Sequence, residues 1–181
     1  MILSHSMKEG AMAPPVVSIV SKKNSGKTTL LEKLIPELST RGYRVGIVKH
    51  DTHGFDIDHK GKDTWRHKQA GARTVVISCP FKISLIKDVD EEVSLDDIVA
   101  AYYDDIDIVL TEGYKRAGKP QIEVFRSTAH QLPLHTKGKP NTLIAVMSDI
   151  PIDLGVPNFN INDIKTLADF IVQYYLTSHQ T

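Results

Sequence analysis

The sequence predicts an α/β fold, a three-layer sandwich with a mostly parallel sheet and helices on both faces. Three observations lead there. Apolar strands alternate with amphipathic helices along the chain. Val16–Val20 passes through a short loop into a helix and on to a second strand that ends at Lys49. A strand, helix and strand packed so closely in sequence form a right-handed crossover between parallel strands, and parallel sheets need cover on both faces. Finally, polar residues gather just after several strands, where ligands bind in open α/β sheets. That rule places Lys27, Lys49 and His50, Glu112, and Ser148 with Asp149 on one rim.

The elements follow in order. Val16–Val20 is a buried strand. The helix expected from Lys27 to Arg41 carries Leu30, Leu31, Leu34, Ile35 and Leu38 on one stripe and stops at Gly42. Pro36 removes a bond to the Glu32 carbonyl, so a bend is expected there. Arg44–Lys49 is a strand. His50 to Lys62 is polar and rich in breakers, a loop long enough to be functional. A short helix, capped by Asp63, runs to Ala70 and ends at Gly71. Thr74–Ser78 and Lys82–Lys87 are strands joined by a hairpin-like turn at Cys79-Pro80-Phe81, and Ser94 caps a helix from Leu95 to Tyr103. Ile106–Thr111 is a central strand that runs into Glu112-Gly113-Tyr114-Lys115, and Gln121–Phe125 and Thr142–Met147 are further strands. Asn162 is expected to cap a last helix to Leu176, with Leu167, Phe170, Ile171 and Tyr174 inward.

Bulk properties narrow the function. The 181 residues, 41% of them hydrophobic, suit a single domain over residues 16–181 behind a disordered leader, residues 1–15. Net charge is zero, with 22 basic and 22 acidic residues, so nothing global points to nucleic acid or an anionic membrane. No apolar run reaches the ~20 residues a membrane helix needs, and the leader lacks the apolar core of a signal peptide. A lone cysteine, Cys79, rules out a disulfide within the chain and makes a reducing, cytoplasmic home the expectation.

The stretch Ser21-Lys22-Lys23-Asn24-Ser25-Gly26-Lys27-Thr28-Thr29 carries the chemistry. Its pattern is Gly-x4-Gly-Lys-Ser/Thr, the phosphate loop between a strand and a helix, with Ser21 in place of the first glycine. Gly26 lets the backbone approach an oxyanion. The amides of Ser25 to Thr29 would face phosphates at the positive end of the helix. Lys27 would set an ammonium against the terminal phosphates, Thr28 would offer its hydroxyl to Mg²⁺, and Thr29 would donate to an inner phosphate. Asn24 lies within the same nucleotide-binding loop.

Beyond this loop, the chain carries Lys49-His50-Asp51-Thr52-His53, Asp56-Ile57-Asp58-His59-Lys60-Gly61-Lys62-Asp63, Arg66-His67 with Ala70-Gly71-Ala72, and the Glu112-Gly113-Tyr114-Lys115 turn. With these motifs in one order, the sequence from Val16 to Tyr175 resembles the molybdopterin-guanine dinucleotide biosynthesis protein B family. The resemblance implies a P-loop NTPase fold that binds GTP with Mg²⁺, hydrolyses it slowly if at all, and forms a homodimer. It implies an accessory role beside a separate guanylyltransferase that attaches GMP to molybdopterin, with the molybdenum-insertion protein as a further partner and no catalytic residue singled out.

The remaining polar residues keep their alternatives. Lys22 sits where one branch of these proteins has a second phosphate-reaching lysine, and is otherwise a solvated loop lysine. Glu112 would hold Mg²⁺ or its water, and Gly113 would admit the terminal phosphate. Asp58, ahead of Asp51, Asp56 and Asp63, would give a second acidic contact to the metal, unless these carboxylates are a solvated loop. Lys49 is a phosphate or pterin-phosphate contact or a surface lysine. Arg66 would pair with a phosphate or with a surface acid. The spacing of His50, His53, His59 and His67 does not suit a compact zinc site. Asp149 would read guanine, although no Asn-Lys-x-Asp sequence supports it, or shapes the turn before Pro151. An ATP-dependent small-molecule kinase or ligase of the dethiobiotin-synthetase type is the alternative function, and a metallochaperone GTPase a third.

Overall fold

The computed structural model describes residues 13–52, 54–138 and 142–177. In chain order the elements are β1 (Val16–Val20), α1 (Lys27–Thr40), β2 (Val45–Lys49), α2 (Asp63–Gln69), β3 (Thr74–Cys79), β4 (Lys82–Lys87), α3 (Leu95–Tyr102), β5 (Ile108–Glu112), β6 (Gln121–Phe125), β7 (Leu143–Ser148), β8 (Asn158–Asn160) and α4 (Ile164–Ile171), which continues as a π-helical turn over Val172–Leu176. The described residues divide into two compact units, one up to His50 together with Leu95 onward, the other Asp51–Ser94.

The first unit is built on a six-stranded sheet in the order β2-β5-β1-β6-β7-β8. Every pairing in it is parallel. The alternation of side chains along a strand divides the core into two layers. Val17 and Ile19 of β1, Ile108 and Leu110 of β5, and Ile122 and Val124 of β6 face α1 and α4. Val16, Val48 and Val109 face α3 on the other side through Leu95 and Val99. The expected α/β sandwich with helices on both faces is therefore what forms. α1 is held by Leu30, Leu31, Leu34 and Leu38, all buried, each stabilising by about 1.5–3 kcal/mol relative to exposure. The helix continues through Pro36 to Thr40 and is followed by Gly42 at φ 91°, the left-handed turn glycine tolerates. Arg41 then bridges Glu37 and Asp169, tying α1 to α4.

Close packing on the α3 side depends on a missing side chain. A Cβ on Gly46 would lie 2.4 Å from the Tyr103 ring, whose hydroxyl donates to the Ile47 carbonyl at 2.7 Å. Gly46→Ala is therefore expected to destabilise the fold by about 1–3 kcal/mol through overpacking, read as a lower urea midpoint with unchanged slope.

Several boundaries differ from expectation, each for a physical reason. Pro15, assigned to the leader, already accepts a hydrogen bond from the Val109 N–H at 2.9 Å, while residues 1–12 lie outside the described residues. The edge strand β8 was not anticipated: its three residues, Asn-Phe-Asn, are too few for a periodic signal, and it exists by pairing with β7. Asp163, not Asn162, caps α4, its carboxylate accepting from the Thr166 N–H and hydroxyl. Tyr174, expected inward, is 59% exposed. A π turn spaces side chains wider than 3.6 residues, so Leu176 takes the buried place and Tyr174 stacks on Phe170 from outside.

The second unit contains α2 and the antiparallel hairpin of β3 and β4. Ion pairs of Lys68 with Asp88 and Arg73 with Asp90 join its ends. Val76, Ile77, Phe81 and Ile83 of the hairpin are exposed, and Cys79 at the end of β3 is exposed too.

Candidate functional site

Because the sheet of the first unit is parallel, the ends of its strands share one rim. There the loop after β1 turns into α1 through Asn24 at φ 62° and Gly26 at φ 94°. Gly26 occupies the cap position of α1, and no side chain caps the helix. A 14-residue helix thus presents its first amides, which have no i−4 carbonyl to bond, at the positive end of its dipole.

Lys27 folds back over the loop, and its Nζ donates to Ser21 Oγ at 2.9 Å. Ser21 is buried and its own hydroxyl donates to the Lys22 carbonyl. The serine that replaces the usual glycine is thus the hydrogen-bond acceptor for Lys27. Burial pulls the Lys27 ammonium below its ordinary pKa; the charge of Glu112 opposes this, and Lys115 and Lys49 add to it. Ser25 steadies the loop with a hydroxyl bond to the Lys22 carbonyl at 3.1 Å.

β5 is the sheet neighbour of β1, and the pairing of Ile19 with Glu112 brings that carboxylate to the loop. Thr28 Oγ1 donates to Glu112 Oε1 at 3.0 Å, and Lys49 Nζ stands 3.9 Å from Glu112 Oε2. Residues 84 positions apart in sequence thereby juxtapose two hard oxygen donors, the kind Mg²⁺ prefers. Among the described residues no three His, Cys, Asp or Glu side chains cluster as a metal site. Gly113 takes φ 103° and gives its N–H to the Ile19 carbonyl; a Cβ there would press on His50 at 3.3 Å. Tyr114, at φ 54°, lays its ring against that of His50.

The other residues named from the sequence lie as follows. Lys22 Nζ donates to the Leu132 carbonyl at 2.8 Å, binding the loop to the segment after β6. Asp149, at the end of β7, accepts from the Ser127 N–H at 2.8 Å and the Ser127 hydroxyl at 3.0 Å. That N–H, then the hydroxyl and the charge of Arg126, hold its carboxyl below the usual range. Asp58 belongs to the second unit. One of its oxygens accepts from the His59 N–H, while the other is buried with no hydrogen-bond partner beside a small cavity lined by Ile57, Thr64, Val75 and Ile86. Arg66 faces Asp63 at 3.8 Å. His53 lies outside the described residues.

One residue at this rim was missed. Arg126 directly follows β6, the other neighbour of β1, and its Nε lies 3.1 Å from where a Cβ on Gly26 would stand. The strand Gln121–Phe125 was located correctly from sequence, so the strand-end rule applied to it would have reached Arg126.

Comparison with known proteins agrees with this architecture. The family model described as "Molybdopterin guanine dinucleotide synthesis protein B" matches residues 16–149. The molybdopterin-guanine dinucleotide biosynthesis adapter protein of Escherichia coli K12 is 36% identical over 88% of this chain and 93% of its own length. The protein of that name from Haemophilus influenzae is 36% identical over 87% of each. A crystal structure of molybdopterin-guanine biosynthesis protein B superposes with a TM-score of 0.67 at 32% identity, covering 87% of this chain and 97% of the other. The structure of Bacillus subtilis MobB gives 0.69 at 25% identity, over 88% and 96%. The sheet order, the loop geometry and these likenesses agree, and the chain belongs to the molybdopterin guanine dinucleotide synthesis protein B family.

Proposed function

We propose that this chain is a Mg²⁺-dependent GTP-binding accessory protein of molybdenum cofactor biosynthesis, assisting a separate guanylyltransferase in forming molybdopterin guanine dinucleotide. Family membership supports the pathway, and the relatives named adapter proteins support the accessory role. The observation that carries the nucleotide reading is the meeting of Thr28 with Glu112 at 3.0 Å beside the uncapped start of α1.

Binding follows from these residues. The free amides at the start of α1 receive the phosphates. Lys27 would exchange Ser21 Oγ for phosphate oxygens, and Thr28 and Glu112 would supply the protein oxygens that hold the cation. Mg²⁺, when bound, neutralises charge between phosphate and carboxylate. Lys49, already near Glu112, has its ammonium within reach of the same anion. Lys22 would have to leave Leu132, and Asp149 would have to leave Ser127, before either touched nucleotide. Hydrolysis is weak or absent in this scheme, and the protein acts as a cytoplasmic homodimer with molybdopterin, the guanylyltransferase and the molybdenum-insertion protein as partners. Among the described residues no helix is long and apolar enough to cross a membrane.

Competitive calorimetry tests the base. GTP is expected to bind only with Mg²⁺ and to exceed ATP by about tenfold or more, a difference of ~1.4 kcal/mol. Equal affinity for the two would remove the guanine reading. Turnover of ATP on a small molecule with no partner protein would favour the kinase or ligase alternative.

A further inference from the structure

The geometry points to Arg126 as a second phosphate-binding cation, a guanidinium delivered to the face of the Gly26 loop from the end of β6, opposite the side on which β5 delivers Glu112. This rests on the nucleotide reading above and assigns to that site a residue which the loop motif does not contain.

Four observations carry it. First, position: Arg126 Nε, Cζ and Nη2 lie 3.1, 3.7 and 3.5 Å from where a Gly26 Cβ would be. The guanidinium thus occupies the space kept open by the absence of a side chain, in the turn whose amides would cradle phosphate. Second, lack of a partner: Arg126 is only partly exposed, yet among the described residues its guanidinium makes no hydrogen bond or ion pair. Asp149 feels its charge, but both Asp149 oxygens are engaged by Ser127. Five donors in a fixed fork suited to oxyanions stay unused beside an anion cradle.

Third, the residue is held in place. The N–H groups of Ala129 and His130 both donate to the Arg126 carbonyl at 3.1 Å, closing a turn behind it. His130 Nε2 donates to the Lys23 carbonyl at 2.6 Å, and Lys22 Nζ donates to the Leu132 carbonyl. The segment carrying Arg126 is therefore tied to the phosphate loop at two further points. Fourth, charge balance: the Glu112 carboxylate, bonded to Thr28 at the start of α1, stands close to where the phosphates would lie and adds negative charge there. A guanidinium keeps its charge at any working pH and brings a further positive charge from a second strand end.

The experiment is titration of Mg²⁺·GTP into the full chain as wild type, Lys27→Ala, Arg126→Ala and Arg126→Lys, at several salt concentrations, with thermal melting of each. Arg126→Ala is expected to raise Kd about tenfold or more, as loss of a charge-assisted contact does, and to make binding less sensitive to added salt. Arg126→Lys should restore the salt sensitivity and only part of the affinity, since a point charge replaces a fork. If wild type binds and Lys27→Ala does not, while Arg126→Ala keeps wild-type affinity and salt dependence, Arg126 merely packs on Gly26 and this inference fails alone. If wild type does not bind, the nucleotide reading fails and takes the inference with it. A lower melting temperature in Arg126→Ala with unchanged Kd also counts against it.

Discussion

Lys27→Ala is expected to weaken Mg²⁺·GTP binding by roughly 10²- to 10³-fold while leaving the fold intact. Truncating one member of a desolvated charge pair costs about 2–5 kcal/mol, and each ~1.4 kcal/mol is a factor of ten in Kd. The free protein shows why the effect belongs at the upper end for a single side chain. The ammonium is partly buried, its pKa is lowered mainly by that burial, and its hydrogen-bond partner among the described residues is the neutral Ser21 hydroxyl at 2.9 Å. A neutral acceptor offsets desolvation of a cation less than an anion does, and the nearby Glu112 charge opposes that desolvation only in part; a triphosphate would add charge-assisted hydrogen bonds. Binding therefore relieves a disfavoured charge as well as adding a contact, and alanine forfeits both. Stability should change little, because what is removed is one hydrogen bond at the rim and no core packing. Isothermal titration with circular dichroism on the same samples separates the two readouts. Near-wild-type affinity with a normal spectrum would mean that the start of α1 is not where the phosphates sit.

Much of this site was legible because its chemistry is local. A strand, a loop with Gly26, Lys27 and Thr28, and an apolar-striped helix occupy one unbroken stretch, and each residue type there follows from what a phosphate requires. Glu112 and Lys49 were reached by a different route, the rule that polar residues at strand ends of a parallel sheet share a rim. Their approach to 3.9 Å depends on β2 and β5 being neighbours, which the rule assumed and the pairing supplies. What escaped depended on contacts between distant segments. The rim position of Arg126 needed the knowledge that β6 lies beside β1, and the engagement of Lys22 with Leu132 spans 110 positions. Asp149 was read for guanine or for a turn, and the structure shows why sequence could not choose: its partner, Ser127, comes from another strand's end. Tyr174 was misplaced because periodicity presumes 3.6 residues per turn, and a π turn has no composition of its own that announces it.

The largest effect on stability is expected at a residue that looks out of place in the sequence. Glu123 lies in the middle of β6, paired with Val20 of β1 and Val146 of β7, and is 1% exposed. A carboxylate is accommodated there because three donors meet it, one on Oε1 and two on Oε2. Its oxygens accept from the backbone N–H groups of Leu134 and His135 and from the His135 ring Nδ1 at 2.8 Å. The other ring nitrogen meets Gln121 Oε1 at 3.1 Å, and the Gln121 amide is fixed in turn by donating to the Lys115 carbonyl. Glu123→Ala leaves two backbone donors and a ring nitrogen without their acceptor in a buried place, at a cost of about 3–5 kcal/mol. That is a large part of the 5–15 kcal/mol by which a typical domain is stable. Glu123→Gln keeps the volume and one acceptor oxygen, so a smaller loss is expected, near the 1–3 kcal/mol of an unsatisfied buried group. Urea unfolding gives both numbers, and a loss under 1 kcal/mol for the alanine variant would mean the network is not a structural tie. The consequence extends to the rim, because the segment that Glu123 anchors carries Leu132, His130 and Arg126 to the phosphate loop. Limited proteolysis of Glu123→Ala should therefore cut first between residues 126 and 138, before any strand of the sheet, since the bonds lost are those that hold this segment down and the core layers on both faces remain.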